Sequence, residues 1–279
     1  MSGSSAPRIP DDADPGSETD AELAIRMATE AGHLLVELRE ELWKRKLSGW
    51  QVMDAGDAAA HRYLIDAFQR FRPGDIVLSE EGADDRRRMK ADRVWIIDPL
   101  DGTSEYGDYG SDEWAVHIAL WQRGLGLTAA AVSLPAYDIT LATDPAPKLV
   151  PPSHETQRMI TSRNRAPYAA AVVARALDLD VVRMGSAGAK AMAVVLGHAD
   201  LYLHDGGMYQ WDSAAPSAVA AAAGLFVSRV DGSPIVYNAS ETWLPDFMVC
   251  RYELVAPVFR VLWGPDHPLA SGDRQPEPD

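Results

Sequence analysis

Apolar residues recur with a helical period soon after the N-terminus. The positions are Leu23, Met27, Ala31, Leu34 and Leu38. Their spacing of three or four residues predicts an amphipathic helix. Thr19 precedes this pattern, and Glu22 lies three residues after Thr19. This is the spacing of a capping box at a helix start. A second helix is predicted over residues 57–71, because apolar residues recur there at helical spacing. Pro73 and Gly74 end it.

Short apolar runs predict strands in the rest of the first half. Residues 94–97 form a continuous apolar run with two isoleucines, which predicts a buried strand, and Asp-Pro and Asp-Gly turns follow it. A shorter strand is predicted over residues 75–79, before Glu80. Three later runs separated by turn residues predict an antiparallel meander at 114–121, 125–133 and 137–142. The charged stretch 84–93 predicts a solvated loop, and the proline-rich stretch 145–152 predicts a connector.

Strands and helices alternate in the second half. Strands are predicted at 159–161, 181–184, 199–203, 226–230 and 247–250, and helices at 168–177, 185–196, from 213 and at 253–262. Two packed α/β layers that share one cleft account for both halves. The predicted organisation is a disordered segment 1–18, an N-terminal half 19–150, a C-terminal half 151–263 and a mobile tail 264–279.

Composition places the chain among soluble proteins. A hydrophobic fraction of 47% and a charged fraction of 24% are typical of a globular protein. The net charge of −15 argues against binding a nucleic acid polymer, and it requires local cations if the substrate is an anion. Cys250 is the single cysteine and lies in an apolar run, so we expect a core residue and no intrachain disulfide. Without a secretory signal or a membrane-spanning run, the expected location is the cytoplasm, away from the membrane.

Four carboxylates lie where a predicted strand or loop gives way to a turn or a helix. They are Glu80, Asp98, Asp101 and Asp212. Taken singly, each can be a turn former or a solvated residue, and Asp212 can be a helix cap. Brought together, they would repel one another unless cations neutralise them. Pairs of divalent metals held by carboxylates are the usual machinery of phosphoester hydrolysis.

Four sequence pieces resemble one family in order and spacing. Residues 95–103, Trp-Ile-Ile-Asp-Pro-Leu-Asp-Gly-Thr, resemble the first signature of the inositol monophosphatase superfamily. Residues 211–215, Trp-Asp-Ser-Ala-Ala, resemble its second signature. Ser79-Glu80-Glu81 is similar to the metal-binding acid before the first signature, and Asp57 to a further acid near the site. The resemblance implies a mixed α/β fold, a layered αβαβα sandwich with the metal site between its two halves.

The resemblance also implies roles for individual residues. The implied metal ligands, for two or three Mg2+ ions, are Glu80, Asp98, Asp101, Asp212 and the backbone carbonyl of Leu100. Thr103 with Glu80 or Asp57 would orient the attacking water and accept its proton. The backbone N–H groups of Gly102, Thr103 and Ser104, at a predicted helix start, are candidates to hold phosphate oxygens.

Further residues resemble the bacterial 3'(2'),5'-bisphosphate nucleotidase branch. They are Leu78-Ser79-Glu80-Glu81, Ser162-Arg163 and Gly185-Ser186 followed by Lys190. The resemblance implies hydrolysis of 3'-phosphoadenosine 5'-phosphate, with 3'-phosphoadenylyl sulfate as a further substrate, a role in sulfur assimilation and inhibition by lithium. Arg163, Gly185, Ser186 and Lys190, together with Asp212, would bind substrate. Arg165 is a weaker candidate cation for the second phosphate.

Departures from the branch keep alternatives open. Residues 102–106, Gly-Thr-Ser-Glu-Tyr, lack the lysine common at the third position, and residues 51–57 are a degenerate form of the usual upstream motif. Activity on inositol phosphates or fructose 1,6-bisphosphate is one alternative, and a non-catalytic metal or nucleotide sensor is another. A homodimer is an open possibility. Trp114, Tyr106 and Tyr209 are candidates to stack on an adenine, with core packing as the alternative for each.

Overall fold

The computed structural model of the chain describes residues 18–163 and 168–271. The helices are α1 (Asp20–Lys44), α2 (Gly49–Phe71), α3 (Thr103–Tyr106), α4 (Tyr168–Leu177), α5 (Ala187–Val195), α6 (Gln210–Ala222) and α7 (Tyr252–Trp263). The strands are β1 (Ile76–Ser79), β2 (Arg93–Asp101), β3 (Ala115–Gln122), β4 (Gly126–Leu134), β5 (Ile139–Ala142), β6 (Arg158–Ser162), β7 (Asp180–Met184), β8 (Leu201–His204), β9 (Met208–Tyr209), β10 (Phe226–Ser228), β11 (Trp243–Leu244) and β12 (Phe247–Cys250). None of the described helices combines the length and apolar character that crossing a bilayer requires.

The first sheet contains the predicted meander. Its strand order is β1-β2-β3-β4-β5, and β3 to β5 pair antiparallel, as the sequence predicted. Strand β2 also pairs antiparallel with β3. The short strand β1 pairs parallel with β2 at the edge of the sheet. The paired stretch ends with Ser79 opposite Ile97, and the next residue along each strand, Glu80 or Asp98, carries a carboxylate.

Strand β2 contributes side chains to two different apolar clusters, one on each face of the sheet. Val94 and Ile96 lie in one buried cluster with α5, α6 and residues of the second sheet. Trp95 and Ile97 lie in another cluster with α1 and α2. This alternation follows from the two-residue period of strand side chains. A continuous apolar run is therefore needed, because helices cover both faces of the sheet.

The second sheet adds the remaining layers. Its strand order is β10-β12-β8-β6-β7, with β6 parallel to both of its neighbours. Tyr202 and Phe247 face the central cluster with α5 and α6. Leu201 and Met248 face a third cluster with α4 and α7. The layers therefore run α1/α2, first sheet, α5/α6, second sheet, α4/α7, and the predicted αβαβα sandwich is confirmed.

Helix α1 begins where the sequence predicted and α2 begins earlier. Thr19 and Glu22 form the predicted capping box. Helix α2 starts at Gly49, so the prediction that Asp57 heads the helix is wrong. A second capping box marks this start, because the Ser48 N–H and hydroxyl donate to the Gln51 Oε1 at 3.0 and 2.9 Å. Within the helix, Gly56 packs closely on Tyr106, where a Cβ would lie 2.5 Å from the ring.

The charged stretch 84–93 is not the solvated loop that the sequence predicted. Residues Arg86–Lys90 form a 3-10 helix, and Arg88 within it is completely buried. The Arg88 guanidinium bonds the Asp84 carboxylate at 2.6 Å, the Asn238 Oδ1 at 2.9 Å and the Ala239 carbonyl at 2.8 Å. A buried charge is tolerated when its hydrogen-bonding groups are satisfied in this way.

The predictions for the two ends and the connector have mixed outcomes. Residues 1–17, 164–167 (with Arg165) and 272–279 lie outside the described residues. The first part of the predicted mobile tail packs on α7, where the Arg260 Nη2 donates to the carbonyl of the buried Ala270 at 2.7 Å. That part of the prediction is corrected. The connector 145–152 has no helix or strand, and the Val150 N–H donates to the Val195 carbonyl at 3.0 Å.

Candidate active site

Two strand ends bring the first pair of carboxylates together. Because Ser79 lies opposite Ile97, Glu80 and Asp98 follow at neighbouring positions beyond the paired ends of β1 and β2. The backbone N–H of Glu80 donates to the Ile97 carbonyl at 3.3 Å, which extends the pairing by one bond. The side chain of Asp98 turns back to accept from the Leu100 N–H at 3.0 Å. The backbone of Leu100, near the end of β2, therefore fixes one oxygen of Asp98.

A third carboxylate joins them from the second half of the chain. Asp212 lies in the first turn of α6, where its Oδ2 accepts from the Tyr209 N–H at 2.6 Å. One carboxylate oxygen each from Glu80, Asp98 and Asp212 lies within 4.8 Å of the others. Three oxygen donors that converge in this way suit a hard divalent cation. The structure thus groups three of the four carboxylates that the sequence singled out.

The protein leaves this cluster without enough compensation for its charge. The Oδ2 atom of Asp98 is buried and has no hydrogen-bond partner. Burial, and then the neighbouring Glu80, raise the pKa of Asp98 well above its ordinary value. Burial of the carboxyl groups also raises the pKa of Glu80 and that of Asp212 to about 7. An unpartnered buried carboxylate oxygen among two other acids fits a site built for bound cations.

Asp101 belongs to a different set of contacts. Its Oδ2 accepts from the Ser186 hydroxyl at 2.5 Å and from the Gly188 N–H at 2.7 Å. The Nε2 of buried His117 lies 3.2 Å from the same oxygen. Burial raises the pKa of Asp101, but the charge and hydrogen bond of His117 outweigh it, so the net pKa lies below its ordinary value. Any metal contact of Asp101 therefore rests on Oδ1, and its predicted role as a ligand stays a prediction.

The predicted substrate-binding loop 185–190 is occupied by internal contacts. The Lys190 ammonium is buried and lies 2.6, 3.1 and 3.4 Å from the carbonyls of Ser186, Gly185 and Met184. An ammonium has three N–H donors, so these carbonyls use all of them. The charge of Lys190 therefore fixes the turn that leads into α5, and its role as a phosphate ligand stays a prediction that no free N–H of the ammonium supports.

The same loop positions Ser186 and Gly185 for the protein rather than for a ligand. The Ser186 hydroxyl caps α5 by accepting from the Ala189 N–H at 2.9 Å, and it donates its own hydrogen bond to the Asp101 Oδ2. Gly185 donates its N–H to the Glu113 Oε2 at 2.6 Å. These contacts hold Asp101 and the loop in place, and the predicted contacts of both residues with substrate stay predictions.

Arg163 is the predicted phosphate ligand that retains an exposed charge. Its Nη2 contacts both carboxylate oxygens of Glu113, and 43% of its side chain is exposed. Glu113 thus joins Arg163 to the backbone of Gly185. An ion pair at a partly exposed position is weak enough to be exchanged for a phosphate. Its role as a phosphate ligand stays a prediction.

Thr103 and Asp57 meet beside the cluster. Gly102 has a φ of +86°, and a Cβ there would lie 2.8 Å from the Glu113 carbonyl, so the turn into α3 requires glycine. This turn places the Thr103 hydroxyl 3.2 Å from the Asp57 Oδ1 and 3.0 Å from the Leu100 carbonyl. Burial, and then the charge of Glu81, raise the pKa of Asp57 to about 7. Ser104 is exposed in the first turn of α3.

Two residues of the site were not found from the sequence. His117 contacts Asp101 and also lies 3.1 Å through Nδ1 from the Trp211 carbonyl. The register of the meander was the available signal, because His117 pairs directly with Asp98 across β2 and β3. Glu113, which holds Arg163 and Gly185, lies before β3 and gives no comparable signal.

The aromatic candidates separate by burial. Trp114 and Tyr106 are buried in the cluster under α1 and α2, so they cannot reach a ligand. Tyr209 is 45% exposed and stacks on Trp211, with ring centroids 4.9 Å apart and planes 9° apart. Cys250 is buried in β12, as predicted for a core residue.

Known proteins resemble this chain in sequence and in fold. The 3'-phosphoadenosine 5'-phosphate phosphatase of Mycobacterium leprae (strain TN) is 47% identical over 270 residues, which cover 88% of this chain and 95% of the relative. The 3'(2'),5'-bisphosphate nucleotidase CysQ of Escherichia coli (strain K12) is 32% identical over 220 residues, covering 71% and 85%. The crystal structure of CysQ from Bacteroides thetaiotaomicron superposes with a TM-score of 0.72 at 23% identity, covering 85% of this chain and 99% of that one.

The family model extends over most of the chain. Residues 17–246 match the inositol monophosphatase family, and this range contains every carboxylate of the cluster together with Asp57 and Thr103. The chain is therefore a phosphatase that belongs to the inositol monophosphatase family.

Proposed function

We propose that the chain removes the 3'-phosphate of 3'-phosphoadenosine 5'-phosphate in a reaction that requires Mg2+. The observation that carries this proposal is the buried, unpartnered Oδ2 of Asp98 between Glu80 and Asp212, next to Thr103 and Asp57. The names of the relatives at 47% and 32% identity support the substrate. Hydrolysis of 3'-phosphoadenylyl sulfate and a role in sulfur assimilation are the finer parts of the same proposal.

Glu80, Asp98 and Asp212 would hold the metal ions, with Asp101 Oδ1 and the Leu100 carbonyl as further oxygen ligands. The proposed number, two or three Mg2+ ions, follows the family resemblance, and their positive charge would offset the repulsion among the crowded carboxylates. When bound, such ions lower the pKa of a coordinated water and stabilise charge on the transferred phosphoryl group and the leaving oxygen.

The chain's own residues would orient and deprotonate the water. The Thr103 hydroxyl can donate to the Asp57 Oδ1 at 3.2 Å while its oxygen accepts a hydrogen from the water. The pKa of Asp57 is about 7, so its carboxylate can take up a proton near neutral pH. A sensor without catalytic activity has no use for this pair, which is why an enzyme is the preferred reading.

The phosphate groups need donors that the net charge of the chain does not provide. The N–H groups of Thr103 and Ser104 open α3 and have no partner within the helix, so they are candidates for the scissile phosphate. Arg163 is the candidate for the second phosphate, because its side chain is partly exposed. A bidentate guanidinium contact with phosphate would replace its contact with Glu113.

Phosphate release on a panel of substrates tests the proposal. The panel contains 3'-phosphoadenosine 5'-phosphate, inositol 1-phosphate and fructose 1,6-bisphosphate, each with Mg2+ and with EDTA. We expect the highest kcat/KM for the nucleotide and no turnover in EDTA. A preference for inositol 1-phosphate or fructose 1,6-bisphosphate would assign the chain to another branch of the family. Metal binding without turnover of any of the three would favour a sensor.

A further inference from the structure

Tyr209 presents one aromatic face on the surface beside the carboxylates. The ring centroids of Tyr209 and Trp211 lie 4.9 Å apart with nearly parallel planes, so the Trp211 indole covers one face of the Tyr209 phenol. The residue is nevertheless 45% exposed. The exposed part of the ring is apolar surface in contact with water, so a ligand that stacks on it would gain the free energy of burying that surface.

The backbone around Tyr209 holds the ring in place from two sides. Tyr209 pairs with Trp243 between β9 and β11, and the next residue, Gln210, donates its N–H to the Thr242 carbonyl at 2.9 Å. Trp211, the lower ring of the stack, packs on the central apolar cluster. The upper ring is therefore fixed before any ligand arrives, which lowers the entropic cost of stacking on it.

The stacked rings of Tyr209 and Trp211 form an aromatic platform. This platform lies directly beside the carboxylate cluster. The N–H of Tyr209 donates to the Asp212 Oδ2 at 2.6 Å, so its backbone touches one of the three converging acids. In a nucleoside 3'-phosphate one sugar separates the base from the phosphorus. A phosphate at the carboxylates therefore leaves the base within reach of the ring of Tyr209, whose backbone N–H bonds the same acid.

We propose that Tyr209 stacks on the base of the nucleotide whose 3'-phosphate lies at the Glu80, Asp98 and Asp212 cluster. This inference rests on the proposed function and specifies its ligand as a nucleotide recognised through the π-face of its base. Stacking accepts every base, because each has such a face. The platform therefore predicts tolerance of guanine in place of adenine, and weaker binding of phosphates that carry no base.

Substitution at Tyr209 tests the platform. Tyr209→Ala removes the ring and keeps the backbone N–H that Asp212 accepts, and Tyr209→Phe keeps the stacking face. We expect Tyr209→Ala to raise the KM for 3'-phosphoadenosine 5'-phosphate about tenfold, the effect of one lost base–aromatic stack, with kcat nearly unchanged. Inhibition by inorganic phosphate, which has no base, should be the same in both variants and the wild type.

Tyr252→Ala is the matched control. Tyr252 is a tyrosine of similar exposure that follows Cys250, the last residue of β12. Cys250 pairs with Leu201 at the start of β8, whereas the chain continues to Asp212 from the opposite end of β8, at His204. Equal losses for nucleotide and inorganic phosphate in Tyr209→Ala would mean that the ring only supports Asp212. An unchanged KM in Tyr209→Ala would overturn the platform.

A binding measurement separates this inference from the proposed function. Quenching of tryptophan fluorescence by 5'-AMP reports stacking whether or not the nucleotide is hydrolysed. If the wild type binds 5'-AMP and Tyr209→Ala does not, the platform stands even when 3'-phosphoadenosine 5'-phosphate is not turned over. If the wild type turns the nucleotide over and both proteins bind 5'-AMP equally, the proposed function stands and the platform fails.

Discussion

The Nε2 of His117 lies 3.2 Å from the Oδ2 of Asp101, and both side chains are buried. This contact lowers the pKa of Asp101, whereas the pKa values of Glu80, Asp98 and Asp212 are all raised. The site thus contains one acid that the protein neutralises and three that it does not. The three acids without protein counter-charges are the ones whose oxygen atoms converge.

The first prediction uses a substitution at Gly188 to test the contact between His117 and Asp101. A Cβ at Gly188 would lie 2.1 Å from the His117 Nε2, so Gly188→Ala must displace the imidazole from Asp101. We expect a loss of about 1–3 kcal/mol in the free energy of unfolding, as for other overpacked sites, and a lower kcat. Urea denaturation and phosphate release measure the two effects.

Gly74→Ala is the control, because a Cβ there meets nothing within 4 Å. If Gly188→Ala unfolds at the same urea concentration as Gly74→Ala, the space around His117 is not as tight as the structure indicates.

The second prediction concerns the charge of the metal cluster. Asp98→Asn removes a ligand, so turnover should fall by orders of magnitude and the rise in melting temperature caused by Mg2+ should disappear. In EDTA the same variant should melt at a higher temperature than the wild type, because it relieves the repulsion among the three acids. Thermal unfolding with Mg2+ and with EDTA measures both shifts.

Asp66→Asn supplies the comparison, because Asp66 is an exposed acid on α2. Retention of full activity in EDTA by the wild type would contradict the metal mechanism. A lower melting temperature of Asp98→Asn in EDTA would mean that Asp98 is stabilised by contacts other than a cation.

The third prediction separates Lys190 from Arg163. Lys190→Met leaves three carbonyls of the loop before α5 without their donor, so kcat/KM should fall by the same factor for 3'-phosphoadenosine 5'-phosphate and for inositol 1-phosphate. Arg163→Ala should lower kcat/KM about ten- to a hundred-fold for the bisphosphate, the effect of one charge-assisted contact, and much less for the monophosphate. A selective loss on the bisphosphate in Lys190→Met would support its predicted role as a phosphate ligand.

The fourth prediction is a dependence of stability on pH. Burial raises the pKa of Asp20, but hydrogen bonds from Arg93 and Arg72 outweigh it, and the net pKa is lowered. A lowered folded-state pKa contributes stability that is complete above the unfolded value of about 3.9 and is lost as the pH falls through the folded value. Asp20→Asn should therefore be less stable than the wild type at pH 7, and the difference should shrink at acid pH.

Urea denaturation at a series of pH values measures this difference. Asp92→Asn is the control, because Asp92 pairs with Arg123 at an exposed position. A constant difference between Asp20→Asn and the wild type over the acid range would show that the contacts of Asp20 do not depend on its charge.

The sequence predicted the parts of the fold that depend on local pattern. The run before Asp98 predicted a strand, and the layer order followed from the resemblance. Two buried charges show why the rest could not be predicted. Arg88 is buried because Asn238 and Ala239, which are distant in the chain, accept from it. Lys190 is buried because the turn before α5 directs the carbonyls of Met184, Gly185 and Ser186 at its ammonium. From its residue type alone, a charged side chain is expected at the solvated surface, so the sequence did not indicate that these two would be buried.

The central layer has an electrostatic consequence for a chain with a net charge of −15. Helices α5 and α6 both begin at the site, where the N–H of Gly188 points at Asp101 and the N–H of Tyr209 at Asp212. The aligned peptide dipoles of a helix place about half a positive charge at its N-terminus. Two such termini meet the carboxylates between the sheets. The backbone of the central layer thus makes the local potential at the site more positive than the net charge implies, and the remaining negative potential is left for cations to neutralise.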